Sequence, residues 1–188
     1  MITLVSGLPR SGTSMMMRIL EAGGIPPLAD GERIADIDNP HGYYELEAVK
    51  STREDPSWIE RADGRATKVI YKLLYDLPED GREYTVVFMQ RALKEVIASQ
   101  EKMLARRGTA KQEGGAPLDL VAAFASEVAR CKAWLRERPR FRVLYVNYNN
   151  LLAEPEDGIA HLAEFLGPGF DAAKAATAID QSLYRNRA

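Results

Sequence analysis

The chain has 188 residues, of which 46% are hydrophobic, and its formal net charge is -2. A chain of this length buries roughly 70% of the surface that it exposes when unfolded, so we predict one hydrophobic core and a single domain over residues 1–188. The near-neutral charge and the scattered basic residues exclude a broad electrostatic surface for nucleic acid or for an anionic membrane. Any binding site for an anion must therefore be local.

The first apolar run and the cysteine content indicate the cellular compartment of the protein. The first apolar run begins at residue 2 and Arg10 interrupts it, so we expect neither a signal peptide nor a membrane span. Cys131 is the lone cysteine, which excludes a disulfide within the chain. It falls on the apolar face of a predicted helix, where we expect a buried and unreactive thiol. These features favour a cytoplasmic protein.

In chain order, the first elements are a strand, a loop and a helix. The β-branched run from Ile2 to Val5 predicts a strand, and apolar residues recur at helical spacing from Met15 to Leu20. Gly23 and Gly24 end that helix. Residues 25–66 are rich in proline, aspartate, glycine and aromatics, which predicts an insert of loops and short helices over a sheet.

The remaining elements alternate between strands and helices. The segment "ATKVIYKLLYDLP" predicts a strand and a turn of helix, and the apolar run from Tyr84 to Gln90 predicts a buried parallel strand. A helix over 92–106, a polar stretch near 107–117, an amphipathic helix, the strand "FRVLYVNY" and a helix from Pro155 follow. This order predicts a three-layer α/β/α domain with a central parallel sheet and a P-loop NTPase-like topology.

The segment "GLPRSGT" follows the first strand and opens the first helix, which is the context of a phosphate-binding loop. We expect the backbone N–H groups from Ser11 to Ser14 to point into the loop, where the helix N-terminus attracts an anion. Thr13 stands where an ATP- or GTP-binding loop carries its lysine. Arg10 supplies an alternative charge, because its guanidinium donates to phosphate or sulfate oxygens. A tight glycine turn without a ligand is the alternative.

The strands also lack the carboxylate that usually holds Mg²⁺ in nucleotide triphosphatases. The two inner strands end "VVFMQR" and "VLYVNY". We therefore predict no metal site, and a donor that needs no metal fits the loop better than ATP does.

These residues resemble the sulfotransferase family, whose members move a sulfuryl group from 3′-phosphoadenosine-5′-phosphosulfate (PAPS) to an alcohol, phenol or amine. "LPRSGTS" is similar to the family's 5′-phosphosulfate loop, "QRALKEVIAS" to its 3′-phosphate motif, and "VLYVNYNNLLAEP" to its strand that ends in a tyrosine near the nucleotide. The three motifs occur in the family's order between Leu8 and Pro155. The resemblance implies that the donor is bound by Pro9, Arg10, Ser11, Gly12, Thr13, Ser14, Arg91, Ser99 and Tyr148.

The resemblance also implies how the reaction is catalysed. The acceptor oxygen attacks sulfur in line, and cations stabilise the charge on the bridging oxygen. Arg10 is our first candidate for that cation and Lys68 our second, because the segment around Lys68 is similar to one in which a lysine precedes the family's catalytic histidine by two residues. Here that position is Ile70, so the usual base is missing.

A substitute base is expected from residues 25–66, which the resemblance makes the acceptor-binding insert. The candidates are Glu45, which we favour, Glu32 and His41. A surface carboxylate in a salt bridge is the alternative for Glu45, and a polar loop residue is the alternative for His41.

Other interpretations remain open from the sequence. Arg91 is alternatively a solvated or helix-capping arginine, and Ser99 alternatively bonds to its own helix carbonyl. The C-terminal Arg185 and Arg187 either cover the 3′-phosphate or belong to a frayed tail. The leading prediction is a PAPS-dependent sulfotransferase that acts on a small-molecule or peptide acceptor. A kinase with a degenerate P-loop and a non-catalytic nucleotide-binding protein are the alternatives.

Overall fold

The structure is a computed structural model that describes residues 1–31, 35–36, 42–106 and 117–180, without the side chains of residues 117–119. The predicted base candidates Glu32 and His41 lie outside the described residues, as do Arg185 and Arg187. The predictions for these four residues therefore stay predictions.

Four parallel strands form one sheet in the order β2-β1-β3-β4. The strands are β1 (Ile2–Gly7), β2 (Ala66–Lys68), β3 (Tyr84–Gln90) and β4 (Phe141–Asn147). The bounds of β3 are those predicted from its apolar run. Strand β1 continues two residues beyond the predicted run, because Ser6 and Gly7 still pair with β3. The segment that follows Gly7 thus leaves the sheet beside the end of β3.

In the described part of the chain, six α-helices and three short 3-10 helices accompany the sheet. The α-helices are α1 (Thr13–Ala22), α2 (Leu93–Arg106), α3 (Pro117–Arg136), α4 (Tyr148–Ala153), α5 (Pro155–Leu166) and α6 (Ala172–Thr177). The 3-10 helices are Glu47–Ser51, Ser57–Arg61 and Tyr71–Asp76. Two of them lie in the segment 25–66, as predicted for an insert of loops and short helices.

Alternate residues of the inner strands enter two separate cores, one on each face of the sheet. Leu4 of β1 packs in the core that contains Trp58 of the insert and Leu135 of α3. Its neighbour Val5 packs in the core formed by α1, α4, α5 and α6, which contains Leu162. Both faces of the sheet are therefore covered, and the predicted three-layer α/β/α fold with a parallel sheet is confirmed.

Residues 25–66 are attached to the edge of the sheet by backbone hydrogen bonds. The N–H of Leu28 donates to the carbonyl of Ala66 at 2.8 Å, and the N–H of Ala66 donates to the carbonyl of Pro26 at 2.9 Å. The buried indole N–H of Trp58 donates to Thr52 Oγ1 at 2.9 Å. Trp58 is thus a core residue of the insert.

Cys131 is buried in the core between α3 and the sheet, and burial raises the pKa of its thiol above the ordinary value. A protonated and enclosed thiol is a poor nucleophile, so the predicted unreactive role fits. Among the described helices, none has both the length and the apolar character that crossing a bilayer requires.

Removal of a buried side chain from the central strand tests this packing. Leu4→Ala should lower the free energy of unfolding by about 2–5 kcal/mol, because Leu4 is fully enclosed between the sheet and the insert. The control is the same substitution at Leu104, whose side chain is 40% exposed, with an expected loss below about 1 kcal/mol. Urea denaturation measures both, and equal losses would contradict the position of the core.

Candidate functional site

The loop between β1 and α1 turns sharply because three of its residues have positive φ. Gly7 has a φ of 140°, Arg10 of 74° and Gly12 of 99°. Only glycine adopts such angles readily, so Arg10 is held there by its surroundings. The N–H of Met16 donates to the carbonyl of Gly12 at 3.1 Å, and α1 begins at the next residue, Thr13. The predicted order of strand, loop and helix is therefore present.

Neighbouring residues come too close to both glycines for a side chain at either position. A Cβ on Gly12 would lie 2.4 Å from Cδ2 of Tyr148, and a Cβ on Gly7 would lie 2.6 Å from the carbonyl oxygen of Met89. Real Cβ atoms do not approach other atoms so closely. The loop backbone is therefore pressed against the ends of β3 and β4, with the ring of Tyr148 packed on Gly12.

Ser11 differs from its predicted role in one respect. Its N–H donates to the carbonyl of Leu8 at 3.1 Å, so the tight turn itself uses an N–H group that was expected to face an anion. Its Oγ is buried and has no hydrogen-bond partner within the residues that the structure describes. Since buried hydroxyls are nearly always paired, this oxygen is suited to a ligand that enters the loop.

Three predicted donor-binding residues meet at the loop. Arg10 Nε donates to Oγ of Ser99 at 2.9 Å, and Arg91 Nη1 donates to the carbonyl of Arg10 at 3.3 Å. Residues expected at two separate phosphate groups are thus joined by hydrogen bonds. Ser99 thus accepts from an arginine that is 89 residues away in the chain.

Arg91 is buried, so the alternative prediction that it is a solvated arginine is wrong. Its side chain is 8% exposed and that of Glu95 is 3% exposed, and Arg91 Nε donates to Glu95 Oε2 at 2.8 Å. The guanidinium carbon lies 4.5 Å from the centre of the Tyr148 ring, within the range of a cation–π contact. Tyr148 thus lies between the loop and Arg91.

A second group of polar residues lies at the end of β2. Lys68 Nζ is 3.4 Å from Oε1 of Glu45 and donates to the carbonyl of Tyr43 at 3.1 Å. Ser14 Oγ, at the start of α1, lies 3.5 Å from the same carbonyl. The side chain of Lys68 is 11% exposed and that of Glu45 is 30% exposed. The structure therefore brings together both remaining catalytic candidates beside the loop.

Hydrogen bonds from two tyrosines hold the segment that carries Glu45. The hydroxyl of Tyr43 donates to both carboxylate oxygens of Asp36, at 2.6 and 2.7 Å. The hydroxyl of Tyr44 donates to Glu21 of α1 at 2.6 Å. Burial, and then the hydrogen bond to Glu21, raise the pKa of Tyr44 above its ordinary value, so this hydroxyl remains a donor. These hydrogen bonds tie the segment that carries Glu45 to Asp36 and to α1.

Glu95 and Asn149 are two polar residues of the site that the sequence motifs do not include. Glu95 lies one helical turn after Arg91, a spacing at which opposite charges pair, so an i,i+4 search would have found it. Asn149 has no such local signal, because its side chain reaches Glu95 only after β4 has been placed beside β3. Of the remaining predicted residues, Pro9 accepts a hydrogen bond from Gln100 through its carbonyl at 3.0 Å, and Thr13 is buried.

No group of three or more histidine, cysteine, aspartate or glutamate side chains suited to a metal ion occurs in the described part of the chain. The site geometry is instead a glycine loop with two arginines, and a lysine with a carboxylate beside it. On this P-loop-like α/β fold, such an arrangement has the donors and positive charges that suit an anionic ligand.

Comparison with known proteins identifies the family. The family described as "Sulfotransferase domain" matches residues 2–186, so the chain belongs to the sulfotransferase family and is a transferase. The resemblance inferred from the three motifs is thereby confirmed. None of the curated proteins matches this sequence.

Two solved structures are similar to this chain. The sulfotransferase domain from the Synechococcus PCC 7002 olefin synthase is 18% identical, with a TM-score of 0.57 over 97% of this chain and 85% of that domain. The sulfotransferase domain from the curacin biosynthetic pathway is 15% identical, with a TM-score of 0.49 over 100% of this chain and 91% of that domain. The first likeness supports the fold.

The contact between Gly12 and Tyr148 predicts a specific loss of stability. Gly12→Ala should cost about 1–3 kcal/mol more than the left-handed backbone alone, because the new methyl group overlaps the Tyr148 ring. The matched control is Gly64→Ala, since Gly64 has a φ of 69° with no atom within 4 Å of its Cβ position. That variant should cost only the backbone term of about 1–2 kcal/mol. Equal losses in thermal unfolding would contradict the contact.

Proposed function

We propose that the protein transfers a sulfuryl group from PAPS to a hydroxyl or amine of a small-molecule or peptide acceptor. Membership of the sulfotransferase family supports the transfer itself. The observation that carries the choice of donor is the meeting of Arg10, Arg91 and Ser99 beside Gly12. These side chains supply donors for two phosphate groups that are close to each other, as PAPS requires.

The loop fits the 5′-phosphosulfate of this donor. Gly12 caps the N-terminus of α1 in the left-handed conformation, which leaves the first N–H groups of the helix for an anion. The buried Oγ of Ser11, which has no partner among the described residues, adds a hydroxyl donor. Pro9, Thr13 and Ser14 complete the loop, and we assign all six residues from Pro9 to Ser14 to this end of the donor.

Arg91 and Ser99 are assigned to the 3′-phosphate, which distinguishes PAPS from ATP. Both lie in or next to α2, at the carboxyl end of β3, where ligands of parallel α/β sheets bind. Tyr148 supports them, because its ring contacts the Arg91 guanidinium on one side and Gly12 on the other. The donor is therefore expected to bind across the ends of β1, β3 and β4.

Catalysis is assigned to Arg10, Lys68 and Glu45. The donor supplies a sulfuryl group attached to its 5′-phosphate. Arg10 and Lys68 provide positive charge beside the loop, which stabilises the negative charge that develops on the bridging oxygen. Glu45, 3.4 Å from Lys68 Nζ, accepts the proton of the acceptor hydroxyl or amine. The insert of residues 25–66 then forms the wall of the acceptor site, since Tyr43, Glu45 and Asp36 all belong to it.

The assignment of PAPS as the donor is tested by measuring the affinities for 3′-phosphoadenosine 5′-phosphate, AMP and ATP. We expect 3′-phosphoadenosine 5′-phosphate to bind at least about tenfold more tightly than AMP, because a charge-assisted hydrogen bond to the extra phosphate contributes about 1.5–3 kcal/mol. Arg91→Lys keeps the positive charge opposite Glu95 but loses the planar guanidinium and its paired N–H donors. Most of the preference for 3′-phosphoadenosine 5′-phosphate over AMP should therefore disappear. Arg53→Lys, at an exposed arginine, is the control.

Isothermal titration calorimetry measures these affinities. Equal affinities of the wild-type protein for the two nucleotides would overturn the donor assignment. Tighter binding of ATP with Mg²⁺ would favour the kinase alternative. Preferential binding without sulfate transfer to any of a panel of alcohols, phenols and amines would favour a non-catalytic nucleotide-binding protein.

The assignment of the base is tested by Glu45→Gln. We expect kcat to fall by about 10²-fold or more, because general-base catalysis contributes about 10²–10⁴-fold. The affinity for 3′-phosphoadenosine 5′-phosphate should change little, since Glu45 faces the acceptor side. Glu47→Gln removes the same charge two residues later, from an exposed pair with Lys50, and should retain activity. A Glu45→Gln variant with normal kcat would exclude Glu45 as the base.

A further inference from the structure

Glu95 accepts hydrogen bonds on both of its carboxylate oxygens from two different parts of the chain. Arg91 Nε donates to Oε2 at 2.8 Å, and Asn149 Nδ2 donates to Oε1 at 3.0 Å. The orientation of the Asn149 amide is fixed in turn, because its Oδ1 accepts from the N–H of Ala92 at 3.3 Å. The helix α2, the end of β3 and the start of α4 are thus joined through one carboxylate.

Only a side chain that accepts at both ends fits position 95. A glutamine would accept from Arg91 through its oxygen, but its NH₂ group would then face the NH₂ group of Asn149. Asn149 cannot turn its oxygen toward position 95 without losing the hydrogen bond from Ala92. The carboxylate is therefore required by the geometry of its neighbours.

The negative charge of Glu95 opposes the binding of an anion by Arg91, so a different benefit must offset this effect. A negative charge 2.8 Å from Arg91 weakens the attraction of that arginine for an anion. Burial of an ion pair is also a weak source of stability, because desolvation of both charges offsets their attraction. A site that needed only positive charge would bind its anion better without Glu95. Fixing the direction of the Arg91 guanidinium is a benefit that offsets this cost.

We propose that Glu95, held by Asn149, is a positioning residue that orients Arg91 so that the site discriminates nucleotides with a 3′-phosphate from those without one. This inference rests on the proposed function, in which Arg91 contacts that phosphate. The opposed effects of charge and orientation make the sign of one measurement decisive. If Glu95 acts through its charge alone, its neutralisation strengthens the binding of the anion; if it orients Arg91, its neutralisation weakens that binding.

The experiment exchanges the amide and the carboxylate between positions 95 and 149. Glu95→Gln should weaken 3′-phosphoadenosine 5′-phosphate about tenfold, while the affinity for AMP stays within about twofold. Asn149→Asp places two carboxylates against each other and should also reduce the preference for the 3′-phosphate. The double variant E95Q/N149D has the wild-type charge and restores a donor opposite an acceptor, so its preference should return to within about threefold of wild type.

Calorimetry with both nucleotides is run on all variants, and thermal unfolding without nucleotide is measured in parallel. Glu137→Gln, at a side chain that is 76% exposed, is the matched control. If Glu95→Gln does not fold, the wild type, Asn149→Ala and the double variant give the comparison, with Asn149→Ala expected to reduce the preference. An unchanged or increased preference in Glu95→Gln, or in Asn149→Ala when it is the substitute, would overturn the inference, as would a double variant that does not recover.

These outcomes are distinct from a failure of the proposed function. If the wild-type protein itself shows no preference for the 3′-phosphate, the donor assignment fails, and the inference about Glu95 fails with it. If the wild type shows the preference and Arg91→Lys loses it while Glu95→Gln keeps it, only the positioning role fails.

Discussion

The guanidinium of Arg91 joins three of the segments that leave the sheet at its carboxyl edge. It donates to the loop carbonyl of Arg10, pairs with Glu95 of α2, and lies against the ring of Tyr148 at the start of α4. These segments follow β1, β3 and β4 in turn. Because the strands are parallel, their ends lie side by side, and one side chain reaches all three. The shape of the loop between β1 and α1 depends on the contact between Arg91 and Tyr148, since the Tyr148 ring also packs on Gly12.

The charges of the site are balanced locally. Arg91 lies beside Glu95, and both side chains are buried, while Lys68 lies largely buried beside the more exposed Glu45. Buried cations require such partners, because removal from water is costly for an isolated charge. This arrangement agrees with a chain whose formal net charge is only -2. The site therefore presents oriented hydrogen-bond donors rather than a strong positive field.

The local patterns of the sequence were sufficient for the fold and for the family. The apolar run Tyr84–Gln90 predicted β3 with its exact bounds, because a strand buried on both faces consists of consecutive apolar residues. The spacing of Gly7 and Gly12 predicted the loop. The prediction that the N–H of Ser11 faces an anion was wrong. The sequence does not show that the turn itself uses this N–H group, which donates to the carbonyl of Leu8.

The sequence by itself determined the strands, the glycine loop and the two family motifs around Arg91 and Tyr148, since each depends on residues close together in the chain. Only the tertiary structure decided which side chains meet. Lys68 pairs with a carboxylate 23 residues away, and Asn149 bonds to one 54 residues away. Such contacts arise from the order of the strands in the sheet, and no spacing along the chain encodes them. The contacts between distant side chains therefore depend on the fold, while the glycine loop is already present in the sequence.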